Sequence, residues 1–192
     1  MDVVIASNNA GKVREIKQIL GERYTLYTMR DKGLDMDIAE TGETFLANAL
    51  IKAKAVCEAT GCIAIADDSG LCVDALGGAP GVYSARYAGE EQNDANNRAK
   101  LLQALAAYPE EHERKAHFTT MMVLYFPDGH YIQAEGKVDG YILHEEQGDM
   151  GFGYDTLFYC YDLGKCFGMC QAEEKNSVSH RARALQALVT QL

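Results

Sequence analysis

With 192 residues, 47% of them hydrophobic, the chain is long enough to enclose a sizeable core as one domain spanning 1–192, or as two intimately joined lobes, without disulfide staples. A formal net charge of −10 excludes the broad basic footprint of a nucleic-acid binder, while a small polyanion neutralised by a divalent cation and a few local lysines stays compatible. The six cysteines are scattered through apolar surroundings and read as reduced thiols of a cytosolic protein. Met1-Asp2-Val3-Val4-Ile5 lacks the basic lead of a signal peptide, and the most apolar later stretch, 121–126, falls far short of the ~20 residues that span a bilayer.

Residues 2–6 read as a buried strand, followed by a polar turn into a helix whose Val13, Ile16, Ile19 and Leu20 share a face. A second strand is expected over 24–28 and a loop over 29–42. Apolar positions 45, 46, 49, 50, 53, 56 and 57 predict a helix from Glu43 to about Thr60, with Lys52 on another face. A short strand, Cys62 to Ala66, is expected to end abruptly at Asp67-Asp68-Ser69-Gly70, a typical place for a functional loop. Then come a helix around 92–107, strands 115–126 and 130–138 joined by a Pro127-Asp128-Gly129 turn, and a last helix over roughly 177–192. Helices mixed with hairpins in this way predict an α/β fold with a mixed sheet.

Five segments could carry chemistry. Adjacent strand residues face opposite ways, so Asp67 and Asp68 are expected to do different jobs, one facing a cleft and one bracing the loop. Ser7-Asn8-Asn9-Ala10-Gly11-Lys12 leads into a helix N-terminus, where backbone N–H groups and the lysine suit an anion; by itself the turn is more simply a helix cap. It lacks the leading glycine and the final hydroxyl of a Walker A loop. Lys175 to Arg181 gathers cations at a predicted helix start, against the helix dipole, which a bound anion would explain. In Gly151-Phe152-Gly153-Tyr154-Asp155, an aromatic between two glycines allows a flat ligand to stack. Glu40, on a loop, matters only together with a metal.

Together with Glu40-Thr41-Gly42, Asn48 to Lys54, Ala66 to Leu71 and Gly77 to Arg86, these segments resemble the inosine triphosphate pyrophosphatase family, in order and over nearly the whole chain. The resemblance implies an elongated α/β fold with a long twisted mixed sheet flanked by helices, two lobes with a central substrate cleft, and a homodimer. It implies hydrolysis of non-standard purine nucleoside triphosphates to monophosphate and pyrophosphate, with Mg²⁺ held by Glu40 and Asp68. Asp68 would be the catalytic carboxylate and Asp67 its close partner. Ser7 to Lys12, Lys52 and Lys175 would hold phosphates, and Ser69 would also contact the substrate; Phe152, Gly153, Tyr154 and Asp155 would take the purine. Lys175, His180 and Arg181 would line the base edge, with Arg181 donating to the oxygen at C6. Two departures are visible: Thr156 stands where the family usually has proline, and Gly164-Lys165-Cys166-Phe167-Gly168-Met169 replaces Gly-x-Thr-Phe-Ala-Glu.

Other readings of the same residues are a pyrophosphatase preferring pyrimidine or modified nucleotides, and a purine-binding protein without hydrolysis. Zinc on Cys160, Cys166, Cys170 and His180 is a weaker reading, because C-x₂-C pairs are missing.

Overall fold

The computed structural model describes residues 2–21, 23–89 and 92–192. Among these, seven strands form one sheet in the order β2-β1-β3-β4-β5-β6-β7. Strand β1 (Asp2–Ile5) pairs in parallel with both β2 (Thr25–Thr28) and β3 (Ile63–Val73). Beyond them lie β4 (Lys115–Tyr125), β5 (Tyr131–Ile142), β6 (Phe158–Cys160) and β7 (Lys165–Cys166), with the β5–β6 and β6–β7 pairs antiparallel. The sheet is therefore mixed, as the alternation of helices and hairpins predicts.

The chain divides into two compact units: Met1–Asp68 with Thr120–Gly136 and Arg181–Leu192, and Ser69–Thr119 with Lys137–His180. In the first, strand alternation sorts the core into two layers. Val3, Ile5 and Ile65 pack with Ile16 and Leu20 of helix α1 (Ala10–Leu20) and with Ala184, Leu185 and Leu188 of helix α5 (His180–Val189). Val4, Ala6, Ala64 and Ala66 face the other way, onto Ala49, Ala53 and Val56 of helix α2 (Phe45–Thr60). Helix α2 begins where Thr44 caps the Ala47 N–H, and it ends at Gly61 in the left-handed conformation.

The second unit has its own core, with Leu71, Val73, Val138, Ile142, Phe158 and Phe167 packed against Leu101 and Leu105. Leu101 belongs to helix α3 (Asp94–Ala104). Arg114 is buried there and donates to the carbonyls of Leu105, Tyr108, Ile142 and Leu143. No helix among the described residues is long and apolar enough to cross a membrane.

Three expectations need correction. The strand expected to end at Ala66 runs through Asp67-Asp68-Ser69-Gly70 to Val73, because partners on each face satisfy the two carboxylates and the backbone keeps its extended path. Gly70 marks a close approach and not a turn: a Cβ there would lie 2.2 Å from the Gly81 carbonyl oxygen and 2.7 Å from Ser84 Oγ. Strand β5 continues to Ile142, four residues past the expected end. The last helix starts at His180, and Lys175 sits in the last turn of a separate short helix, α4 (Ala172–Asn176), where the dipole favours a cation.

Gly70→Ala should destabilise the protein by about 2 kcal/mol, since backbone must shift to admit the methyl group. A thermal melt should show Tm lowered by roughly 5 °C; an unchanged Tm would contradict this packing.

Candidate active site

The pattern of β3 builds the first cluster. Asp67 follows Ile65 onto the α1–α5 face, and Asp68 follows Ala64 and Ala66 onto the α2 face. On the first face Lys12 Nζ lies 3.1 Å from Asp67 Oδ2. Arg181 donates to the same oxygen through Nη2 at 2.9 Å and Nε at 3.3 Å, and through Nη1 to Glu15. Lys12 and Glu15 are three residues apart on α1 and so share its inward face. Lysine, aspartate, arginine and glutamate thus alternate in charge, and each buried ion has an opposite neighbour.

On the other face Asn48 and Lys52 stand one turn apart on α2. Asn48 Nδ2 donates to Asp68 Oδ2 at 3.0 Å, while Asn48 Oδ1 accepts from the Gly42 N–H at 2.8 Å, fixing the loop after Glu40. Lys52 Nζ lies 2.5 Å from Glu40 Oε1 and 3.8 Å from Asp68 Oδ1. One ammonium therefore touches both carboxylates expected to share a metal. Among the described residues no group of three or more His, Cys, Asp or Glu is gathered as a ready-made cage. Two hard carboxylates meeting around a cation fit Mg²⁺, which takes one or two carboxylates and fills its shell with phosphate oxygens and water.

These surroundings drive the two acids apart. Burial works to raise Asp67, but Lys12, Arg181 and Lys52 overcome it and hold that carboxyl well below the usual range. Burial pushes Asp68 up; Lys52 and Lys12 oppose the rise without reversing it, and Glu40 adds to it. Burial likewise lowers Lys12, with Asp67 restoring only part. Adjacent carboxylates displaced in opposite directions suit a fixed anion beside a proton acceptor.

The polar turn before α1 is largely a cap. Asn9 Oδ1 accepts from the Gly11 and Lys12 N–H groups at 2.9 and 3.1 Å, so those donors, expected to meet phosphate, are already engaged. Ser7 Oγ accepts from the Asn9 N–H, and Asn8 Nδ2 donates to the Met36 carbonyl. Asn8, Asn9 and Ala10 are exposed, Ser7 and Lys12 half-buried.

In the second unit Phe152 is half-buried, with Lys175 Nζ 4.8 Å from its ring centre. Asp155 Oδ2 accepts from Lys175 Nζ at 2.7 Å and from the Phe152 N–H at 2.9 Å. Gly151 is required for this, since a Cβ there would lie 2.0 Å from Asp155 Oδ2. The buried Tyr154 donates its hydroxyl to the Ser84 carbonyl. His180 is buried and stacks on Phe118, ring centres 5.0 Å apart. Ser69, also in this unit, is half-buried on β3.

The Arg181 guanidinium is 1% exposed and directed at Asp67 and Glu15, within the first unit. These carboxylates lie against the cation at the start of α5. Glu15 and Asn48 were missed from the sequence. Asn48 had a readable signal, a polar residue one turn before Lys52 on the flank of an apolar helix; Glu15 had none beyond its spacing from Lys12.

The cysteine-rich segment does not form a zinc site among the described residues. All six cysteines are thiols. Cys166 Sγ donates to the Asp155 carbonyl at 3.2 Å and Cys170 Sγ to the Cys166 carbonyl at 3.3 Å, supporting the Phe152 loop from beneath.

A model of the Ham1 family matches residues 3–191. The chain belongs to the Ham1 family. Among curated relatives of this Ham1 chain, the dITP/XTP pyrophosphatase of Bacillus licheniformis is 48% identical over 188 residues, covering 97% of this chain and 95% of the relative. That of Haemophilus influenzae is 48% identical over 193 residues, covering 99% and 98%. The solved Ham1 protein of Staphylococcus aureus matches with a TM-score of 0.86 at 40% identity, covering 99% of this chain and 97% of that one. The HAM1 protein of Coxiella burnetii gives 0.87 at 37%, with the same coverage. The family and the mixed α/β fold that the motifs implied are thus established.

Asp67→Asn and Asp68→Asn should diverge in stability. Asp67, held low, stabilises the fold above its unfolded pKa, and this is lost as pH falls through the folded value; at pH 7 its loss strands Arg181 and Lys12, costing about 3 kcal/mol. Asp68, held high, costs stability as pH rises through its folded value, so Asp68→Asn should melt at or above the parent Tm at pH 7. Equal losses in the two melts would contradict the split.

Thiol labelling tests the loop support. Burial pushes Cys170 up to about 11 and also raises Cys166, so both stay protonated and poorly nucleophilic near pH 8. Iodoacetamide on the native protein should modify the half-buried Cys62 and Cys72 well before Cys160, Cys166 and Cys170. Rapid labelling of Cys166 would contradict its place under Asp155.

Proposed function

We infer that the chain hydrolyses non-standard purine nucleoside triphosphates, those of inosine, deoxyinosine and xanthosine, to the nucleoside monophosphate and pyrophosphate. The curated relatives carry the name dITP/XTP pyrophosphatase over nearly the full length of the chain. The observation that carries the mechanism is the pair of adjacent carboxylates on opposite faces of β3, each beside a lysine, with their proton affinities shifted in opposite directions.

Asp68 is the proton acceptor for the attacking water. Its raised proton affinity suits that role, and Asn48 fixes its orientation. Asp67 stays ionised, holding Lys12 and Arg181 in place. Lys12 and Lys52 supply positive charge to the phosphoryl oxygens, with the exposed side chains of Asn8 and Asn9 as further donors. Glu40 and Asp68 are the residues to hold Mg²⁺, which when bound neutralises phosphoryl oxygens and orients the attacking oxygen. As water bonds to phosphorus, its proton passes to Asp68, and the anhydride bond between the α and β phosphates breaks to release pyrophosphate. No covalent intermediate is needed.

Phe152 stacks on the purine, with Asp155, Lys175 and His180 around it. The Lys175 ammonium has only donors; an oxygen at C6 accepts from it, whereas the amino group of adenine would meet donor against donor. The homodimer is carried over from the family resemblance, and the cytosolic setting from the six thiols, which suit a reducing compartment.

The test is pyrophosphate release from inosine, xanthosine, adenosine and pyrimidine triphosphates with and without Mg²⁺. The first two should be preferred, activity should require the metal, and Asp68→Asn should lower kcat about a thousandfold. Equal turnover of adenosine triphosphate would overturn the specificity, orthophosphate as sole product the bond cleaved, and an active Asp68→Asn protein the assigned base.

A further inference from the structure

Both backbone polar groups of Gly153, the N–H of one peptide and the carbonyl of the next, are held by one helix. The Gly153 N–H donates to Asp94 Oδ2 at 2.8 Å, and the Gly153 carbonyl accepts from Arg98 Nη1 at 2.9 Å. Asp94 and Arg98 lie four residues apart on α3, so they project side by side. The helix is itself anchored: Asn97, 1% exposed, accepts from the Ala88 N–H at 2.7 Å and donates to the Ala85 carbonyl at 2.9 Å.

Arg98 is held from its other side. Its Nε forms an ion pair with Glu146 Oε2 at 2.9 Å, and that oxygen accepts a hydrogen bond from the Thr156 hydroxyl at 2.7 Å. The Gln147 N–H in turn donates to the Thr156 carbonyl at 2.8 Å. Thr156 and Glu146 therefore restrict the guanidinium to the orientation that meets Gly153. Partly exposed ion pairs contribute little to global stability. Two side-chain hydrogen bonds on the successive peptides that flank the Gly153 Cα fix where that residue sits.

We propose that Asp94 and Arg98 are positioning residues for base recognition: they clamp Gly153 from α3 and so set the angle of the Phe152 ring on which the purine stacks, with Glu146 and Thr156 steadying Arg98. The proposal rests on the reading of Phe152 as the base platform. It extends that reading to residues that do not touch the substrate. The loop is pinned on both sides of the ring, by Asp155 at the Phe152 N–H and by α3 at the following peptide. A ring fixed at both ends loses less freedom when a base settles on it.

The experiment uses the full chain with Mg²⁺ and measures the KM and kcat for inosine triphosphate, inhibition by inosine monophosphate, inhibition by inorganic pyrophosphate, and Tm. Arg98→Met should raise both the KM and the monophosphate inhibition constant about tenfold, with kcat and pyrophosphate inhibition within about twofold of the parent. Asp94→Ala should do the same to a smaller extent, about threefold, and Asp94→Asn, which keeps an acceptor oxygen, should recover the parent values. Thr156→Val should resemble Asp94→Ala, and Thr156→Ser the parent. Phe152→Ala serves as the reference. If it weakens the monophosphate while Arg98→Met and Asp94→Ala lower only Tm, the clamp is structural and the proposal fails. If Phe152→Ala itself leaves monophosphate inhibition unchanged, the base platform is wrong and the proposal fails with it.

Discussion

Two carboxylates on consecutive residues of an extended strand cannot share an environment. The pleat sends them to opposite faces of the sheet, and each must be satisfied by whatever packs on its side. In this chain one face brings a lysine from α1 and an arginine from α5, and the other an amide and a lysine from α2. Every feature of this charged cluster follows from that division. Asp67 becomes the fixed negative partner of a buried cationic pair. Asp68 is left where desolvation outweighs attraction. The strand supplies the separation; no loop rearrangement is invoked.

The elements that deliver those partners are ordinary ones. Helix α1 offers Lys12 and Glu15 from one inward face, so a single helix contributes both a cation for Asp67 and an anion for Arg181. Helix α2 is anchored by alanines, which allow it to lie close on the sheet, and this closeness lets the short amide of Asn48 reach Asp68. Side-chain geometry of this kind stands on regular secondary structure, and its precision comes from core packing.

Much of this was legible in the sequence, and the failures have physical causes. The spacing of the apolar positions between 45 and 57 located α2, and the opposed facing of Asp67 and Asp68 followed from the period of a strand. The end of β3 was misplaced because Asp, Asp, Ser and Gly are all turn formers by local preference, and that preference was overridden by partners distant in sequence, Lys12, Asn48, Lys52 and Arg181. For the same reason a cation at the start of α5 suggested an external anion, when Glu15 and Asp67 supply the anions internally. Local rules register that a charge is unbalanced; only the fold reveals what balances it. The short helix bearing Lys175 is not legible in the sequence, which places the last helix from about 177, because five residues are too few to show a helical period.

Arg114 shows a different kind of dependence. Among the described residues its guanidinium donates to four main-chain oxygens, those of Leu105, Tyr108, Ile142 and Leu143. Carbonyls are common to every amino acid, so the four partner positions are released from any demand this contact would place on their identity. The arginine has no such latitude, because no other side chain offers five N–H donors in a rigid planar fork. Mutational drift around this joint should accordingly be lopsided, with side chains turning over at the acceptor positions while the single donor stays put.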